Sequence, residues 1–149
     1  MGTTLTNLIY HLVFSTKHRA PLIGPDLQID LYAYIGGTIR GEGGVLLTAG
    51  GMPDHVHLLA KFKPDIAVSK MLEKIKGHSS KWINEQGRPR GRFEWQGGYG
   101  AFTVSQQIST VQNYIASQAE HHRTTSFQDE LLALLRRHGI EFDPEHLWD

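Results

Sequence analysis

Two runs rich in β-forming residues, VLLTAGG at 45–51 and HVHLLAKF at 55–62, are separated by a short turn containing Gly51, Pro53 and Asp54. So short a connection joins two strands only as an antiparallel hairpin. This hairpin constrains the fold more than any other feature, because a helical pattern flanks it on each side and a strand lies beyond each helix. Ahead of it, Leu8 to Phe14 (LIYHLVF) reads as a central strand buried on much of both faces. Asp26 is then a natural helix cap, and Leu27, Leu31, Ile35 and Ile39 recur every four residues until Gly41, Gly43 and Gly44 stop the helix. After the hairpin, Asp65 is positioned to cap a second helix, in which Val68, Met71, Leu72, Ile75, Ser79, Trp82 and Ile83 keep one face largely apolar. Around Ala101 to Ser105, AFTVS alternates as a fourth strand does. The order βαββαβ predicts an α+β chain of the ferredoxin-like type, an antiparallel four-stranded sheet with two helices on one face.

Two more helices follow as additions to that core. One, over about 106–122, carries Ile108, Val111, Ile115 and Ala119 as its apolar stripe; the other, over about 126–138, opens on the Ser126 to Asp129 capping box and ends near Gly139. The 149 residues form one domain, residues 1–149, with no linker composition to divide it. Hydrophobic residues make up 40% of the chain, enough for a real core and too many for a disordered adaptor. No apolar stretch is long enough to span a bilayer and no secretory signal is visible, so the expected location is cytoplasmic. The absence of cysteine excludes disulfide scaffolds, thiol nucleophiles and Cys-based zinc sites, so any metal must sit on His, carboxylate or amide groups.

The candidate chemistry lies in Asp54-His55-Val56-His57-Leu58-Leu59. Two residues apart on a strand, His55 and His57 project from one face, where they are able to grip one ion, while Val56 and Leu58 face the core. Farther on, Tyr114 and Gln118 share a helix face next to the buried stripe of Ile115 and Ala119. Two imidazoles and the Gln118 amide oxygen leave coordination positions open for phosphate oxygens, which suits Mg2+ or Mn2+, with zinc as the imidazoles' alternative. A phenol attacking phosphorus keeps the bond energy in a phosphotyrosyl intermediate, so a later hydroxyl can rejoin the strand.

These stretches, from LIYHLVFSTKHR through GGMPDHVHLL, KGHSSKWIN and WQGGYGAFTVS to VQNYIASQAEHH, resemble the single-tyrosine HUH transposases of small bacterial insertion sequences, including the IS-two-hundred-like and REP-associated tyrosine transposases. The resemblance implies that His55, His57 and Gln118 bind the divalent metal and that Tyr114 becomes linked to the 5′ end of cut single-stranded DNA. It also implies recognition of hairpins at element ends and a homodimer in which the tyrosine helix can complete a partner's site.

Charge supports a polyanionic partner only locally. Fifteen basic residues balance fifteen acidic ones overall, but Lys61 to Arg92 holds nine basic side chains against Asp65, Glu73 and Glu85, an excess of six. Within it, Lys76, His78, Ser79, Ser80, Lys81, Arg88, Arg90 and Arg92 are candidate DNA contacts, as is His121 beyond it, while Trp82 and Trp95 are either base-stacking surfaces or core. His122 is either part of the site or exposed, and Tyr99, in a glycine-rich turn, is a second hydroxyl without a helical partner such as Gln118. A non-catalytic nucleic-acid-binding module, a phosphodiesterase using activated water and a domesticated relative that processes repeated palindromes remain as alternatives.

Overall fold

The computed structural model of the chain describes residues 2–87 and 91–149. β1 (Leu8–Ser15), α1 (Pro25–Gly41), β2 (Gly44–Met52), β3 (His55–Phe62), α2 (Val68–Gln86) and β4 (Gly100–Thr103) follow in the expected order. The strands form one antiparallel sheet ordered β2-β3-β1-β4, the ferredoxin-like topology. In the hairpin Pro53 and Asp54 alone make the turn. Gly51 pairs with Val56 inside the ladder.

Strand alternation divides the sheet into two faces. Leu12 and Phe14 of β1 and Val56, Leu58, Ala60 and Phe62 of β3 point to the side covered by α1 and α2, where they meet Leu31, Ile35, Met71, Leu72 and Ile75 in the main core. The four-residue recurrence in α1 places Leu27, Leu31, Ile35 and Ile39 all in that core. Neither helix starts on the expected aspartate. Gly24 occupies the cap position of α1 and Pro25 begins it, its fixed φ already helical. The amide of Ile66 closes a turn on the carbonyl of Lys63, so Asp65 stays in that turn and α2 starts three residues later, behind Ala67.

The opposite face carries Ile9, His11 and Val13 of β1 and His55, His57 and Leu59 of β3, and it is covered as well. The segments over it are α3 (Ile108–Ala116), α4 (Gln118–His121) and α5 (Phe127–Arg137). Ile115 of α3 packs on Ile9, Leu59 and Val104, while Phe127, Leu131, Leu134 and Leu135 of α5 close over Val13 and Phe102. Burying four such side chains contributes roughly 1.5–3 kcal/mol apiece, enough to hold α5 on the sheet. Among the described residues, no helix is long and apolar enough to cross a membrane.

Candidate active site

The helix expected over 106–122 is interrupted. Ser117, at φ −105° and ψ 33°, leaves helical geometry between α3 and α4. The kink rotates the second segment, so Ala119, expected in the buried stripe, is exposed, and Gln118 turns inward and is buried. Gln118 is held there by its amide nitrogen, which donates to the carbonyl of Tyr114 at 3.3 Å, and by its Oε1, 3.3 Å from His55 Nε2 and 3.0 Å from His122 Nε2.

His55 and His57 do share one face of β3, and both are fully buried beneath α3–α5. Each is held from behind. His55 Nδ1 donates to Asp54 Oδ1 at 2.7 Å, and although burial works against the charge, this bond keeps the Asp54 carboxyl below its ordinary range. His57 Nδ1 lies 2.8 Å from Nε2 of His11, which projects from the same face of β1. Burial lowers His57 below the ordinary imidazole value, and burial with the neighbouring His57 lowers His11 to about 3; both rings are neutral at physiological pH.

The Tyr114 ring stands edge-on to His57, its centroid 5.6 Å away, and its hydroxyl donates to Oε2 of Glu130. Burial and that carboxylate push the phenol above its usual range, so it is protonated in this arrangement. Glu130 comes from α5. Its Oε1 lies 2.8 Å from His57 Nε2, 3.3 Å from His122 Nε2 and 3.6 Å from His55 Nε2. Burial opposes its ionisation, but hydrogen bonding to His57, helped by the Tyr114 hydroxyl, holds it down to about 2. The donor atoms of His55, His57, His122 and Glu130 all fall within 4.8 Å of one another. Imidazole nitrogens and oxygens converging at that spacing fit a divalent cation, with the tyrosine hydroxyl at its margin.

The remaining predicted residues divide between the two sides of the molecule. His121 belongs to the site, 3.1 Å from Glu130 Oε2 and edge-on to Tyr114 at 5.2 Å. Lys76 is half-buried and donates to the carbonyls of Gln96 (2.7 Å) and Gly98 (2.8 Å), pinning the glycine-rich turn. Ser79 is fully buried and its hydroxyl accepts from Trp95 Nε1 at 2.9 Å, so a phosphate cannot reach it. Trp95 is core, edge-on to Phe14 and Phe93, while Trp82 stacks on Tyr34. His78, Lys81 and Arg92 are exposed, and Arg92 pairs with Glu94. Lys76, Lys81 and Arg92 line one groove with Lys17, Trp95 and Tyr99, on the α2 side. Arg88 and Arg90 lie outside the described residues. A second cleft, between α3 and α5, opens onto the tyrosine and is lined by His11, Thr110, Tyr114, Glu130, Arg137 and His138.

Sequence reasoning passed over Glu130 and His11. Glu130 had a signal: Phe127, Leu131 and Leu134 form the apolar stripe of α5, and a carboxylate at 130 falls inside it. His11, alone among apolar neighbours in the central strand, carried the same signal.

A ferredoxin-like sheet with a buried His-x-His pair on its central strand, faced by a helix-borne tyrosine, is the architecture of a single-tyrosine HUH transposase. The family model described as "Transposase IS200 like" matches residues 4–118, and the chain belongs to that family. The transposase for insertion sequence element IS200 of Salmonella typhimurium is 28% identical over 128 residues, covering 83% of this chain and 84% of its own length. The ISDra2 transposase TnpA of Deinococcus radiodurans is 28% identical over 117 residues, covering 74% of this chain and 84% of that protein. Among solved structures, a Deinococcus radiodurans protein assigned as a transposase superposes with a TM-score of 0.63 at 26% identity, over 77% of this chain and 94% of that one. A REP-associated tyrosine transposase bound to a REP hairpin shares the fold, with a TM-score of 0.54 at 13% identity over 77% of this chain and 66% of that one.

Proposed function

We propose that this transposase cuts and rejoins hairpin-bearing single-stranded DNA through a 5′-phosphotyrosine at Tyr114, with Mg2+ or Mn2+ held by His55, His57 and Gln118. The observation that carries the reading is that the Tyr114 hydroxyl and the His57 imidazole reach the same Glu130 carboxylate, one at each oxygen, so nucleophile and metal ligands face one buried hollow. A cation there would draw charge from a bound phosphate and favour attack at phosphorus. In the cleavage step the Tyr114 oxygen bonds to phosphorus, the bond from phosphorus to the 3′ oxygen breaks, and the tyrosine proton ends on that oxygen as a free 3′-hydroxyl. Rejoining reverses the step with another 3′-hydroxyl.

The cleft between α3 and α5 is the path for the strand, because it reaches the tyrosine and brings Arg137 beside it. The α2-side groove with Lys17, Lys81 and Arg92 is the surface for the hairpin. Within one chain α3 lies over its own sheet, and the homodimer that the resemblance implies is part of the same proposal.

The test is a denaturing gel. Labelled single-stranded hairpin DNA with Mn2+ or Mg2+ is expected to give an SDS-stable protein adduct with the wild type and none with Tyr114→Phe. An undiminished adduct in Tyr114→Phe removes the nucleophile assignment, and cleavage that never yields an adduct replaces the tyrosine with activated water.

A further inference from the structure

We propose that His122 and Glu130 complete the cation site, so that the ion is held by three imidazoles, a carboxylate and the Gln118 amide, a set that selects Mn2+ or another transition-metal ion over Mg2+. This rests on the reading above that His55 and His57 hold a divalent cation.

Proton positions fix which ring nitrogens face the hollow. His55 Nδ1 faces the carboxylate of Asp54 at 2.7 Å, and His122 Nδ1 faces the carbonyl of Thr125 at 2.6 Å. Both partners only accept, so both rings carry a proton on Nδ1 and turn Nε2 inward, where its lone pair is available to a cation. What meets those lone pairs is another set of acceptors. Glu130 Oε1 lies 3.6 Å from His55 Nε2 and 3.3 Å from His122 Nε2, and Gln118 Oε1 lies 3.3 and 3.0 Å from the same two atoms. The amide of Gln118 cannot be turned to relieve this without losing its nitrogen's bond to the Tyr114 carbonyl. Lone pairs converging in a buried hollow repel unless a cation lies among them.

The carboxylate leads to the same place. Glu130 is buried on the apolar stripe of α5, and among the described residues its ion-pair partners are histidines, with no lysine or arginine. An ionised carboxylate in such surroundings is retained when it pairs with charge, and a metal ion supplies it. The three rings also show the outer support that metal-bound histidines have: each has its other nitrogen held from behind, by Asp54, Thr125 or His11. His57 fits when its proton sits on Nδ1 and is given to His11, which frees Nε2 for the ion. Three imidazoles favour transition-metal ions, Zn2+ and Fe2+ more than Mn2+, and all of these over Mg2+, which is held chiefly by oxygen. Because the second oxygen of Glu130 accepts from the Tyr114 hydroxyl, the residue that closes the site also positions the nucleophile beside it.

Calorimetric titration of the full-length, metal-stripped protein with MnCl2 and with MgCl2 tests this, together with pulsed electron paramagnetic resonance of the Mn2+ form to count coupled imidazole nitrogens. Expected are one Mn2+ per chain, bound more tightly than Mg2+, with three coupled imidazoles. Glu130→Gln and His122→Gln should each weaken Mn2+ binding about tenfold or more, with far-ultraviolet circular dichroism unchanged. His122→Gln should reduce the imidazole count to two. A count of two in the wild type, tighter binding of Mg2+ than of Mn2+, or Mn2+ binding unchanged or strengthened in Glu130→Gln, overturns the proposal; in the last case Glu130 only occupies the metal's place. Should Glu130→Gln fail to fold, the wild-type count and the His122→Gln titration still decide. Failure of the underlying reading looks different: the wild type then binds no Mn2+ at all, whereas Mn2+ binding abolished by His57→Ala but indifferent to both other variants removes this inference alone.

Discussion

Gly50 sets how closely the helix bearing Tyr114, the proposed nucleophile, approaches the histidines. It pairs with His57 across the hairpin, and a Cβ placed on it would fall 1.9 Å from the carbonyl oxygen of Ile115, so the backbone of α3 rests directly on β2. Any side chain there lifts the segment bearing Tyr114. Gly50→Ala is therefore expected to lose about 1–3 kcal/mol of stability through overpacking, read as a lower urea midpoint, and to lose most of its adduct formation. An alanine variant with wild-type adduct yield would show that α3 has slack at this contact. In the sequence Gly50 reads only as the end of a strand, and its role as a landing for the helix bearing Ile115 has no local signature. His11 acts from behind the site, since its Nε2 is the partner of His57 Nδ1. His11→Phe keeps the volume and removes that partner, and by the usual effect of losing an outer support it should weaken Mn2+ binding about 10- to 100-fold. Calorimetry gives the answer, and equal affinity would mean that His57 needs no orientation.

At the scale of elements, the strands, the first two helices and the face carrying His55 and His57 were legible because each follows from a local period of two or about four. The interruption at Ser117 was not. Continuing the helix would keep Ala119 buried and leave Gln118 at the edge, and the sequence pattern is satisfied by that arrangement. What favours the kink is tertiary: the polar hollow accepts the Gln118 amide between His55 and His122, two partners far apart in the chain. The same limit hid the function of α5, whose capping box was readable although its target was not. Ser126 Oγ accepts from the amide of Asp129 at 3.2 Å, satisfying one of the free donors at the helix start. Ser126→Ala should cost about 1 kcal/mol, and because α5 carries Glu130 the loss should be felt in the site. The expected outcome is a lower melting temperature together with faster amide exchange across 127–137, while exchange in α1 stays as in the wild type. Uniformly faster exchange would show that α5 has no independent stability.

The whole molecule is a sheet buried on both faces, one by an apolar core and the other by helices that enclose ionisable groups, and this asymmetry gives its stability a direction in pH. Burial, with His57 beside it, lowers His11 to about 3, His57 is lowered as well, and Glu130 is held at about 2. In the unfolded chain the histidines take up protons near pH 6.5 and the glutamate near 4.5. Below those values the unfolded state therefore binds more protons than the native state, and all three groups act with the same sign: stability is present in full above about pH 6.5 and falls as the pH drops. His11 alone contributes at most about 1.4 kcal/mol for each pH unit between 6.5 and 3, and Glu130 adds to the slope below 4.5. Urea unfolding of the metal-stripped protein at several pH values from 7.5 to 4.5 should show this decline, with a shallower one for His11→Phe, which has no imidazole to protonate on unfolding. A flat profile, or identical slopes in the two proteins, would mean that these rings are charged or hydrated in the native state. A bound cation steepens the decline, because protons compete with it for the same nitrogens and carboxylate. Adding Mn2+ should therefore raise the unfolding midpoint most at pH 7.5 and little at pH 4.5.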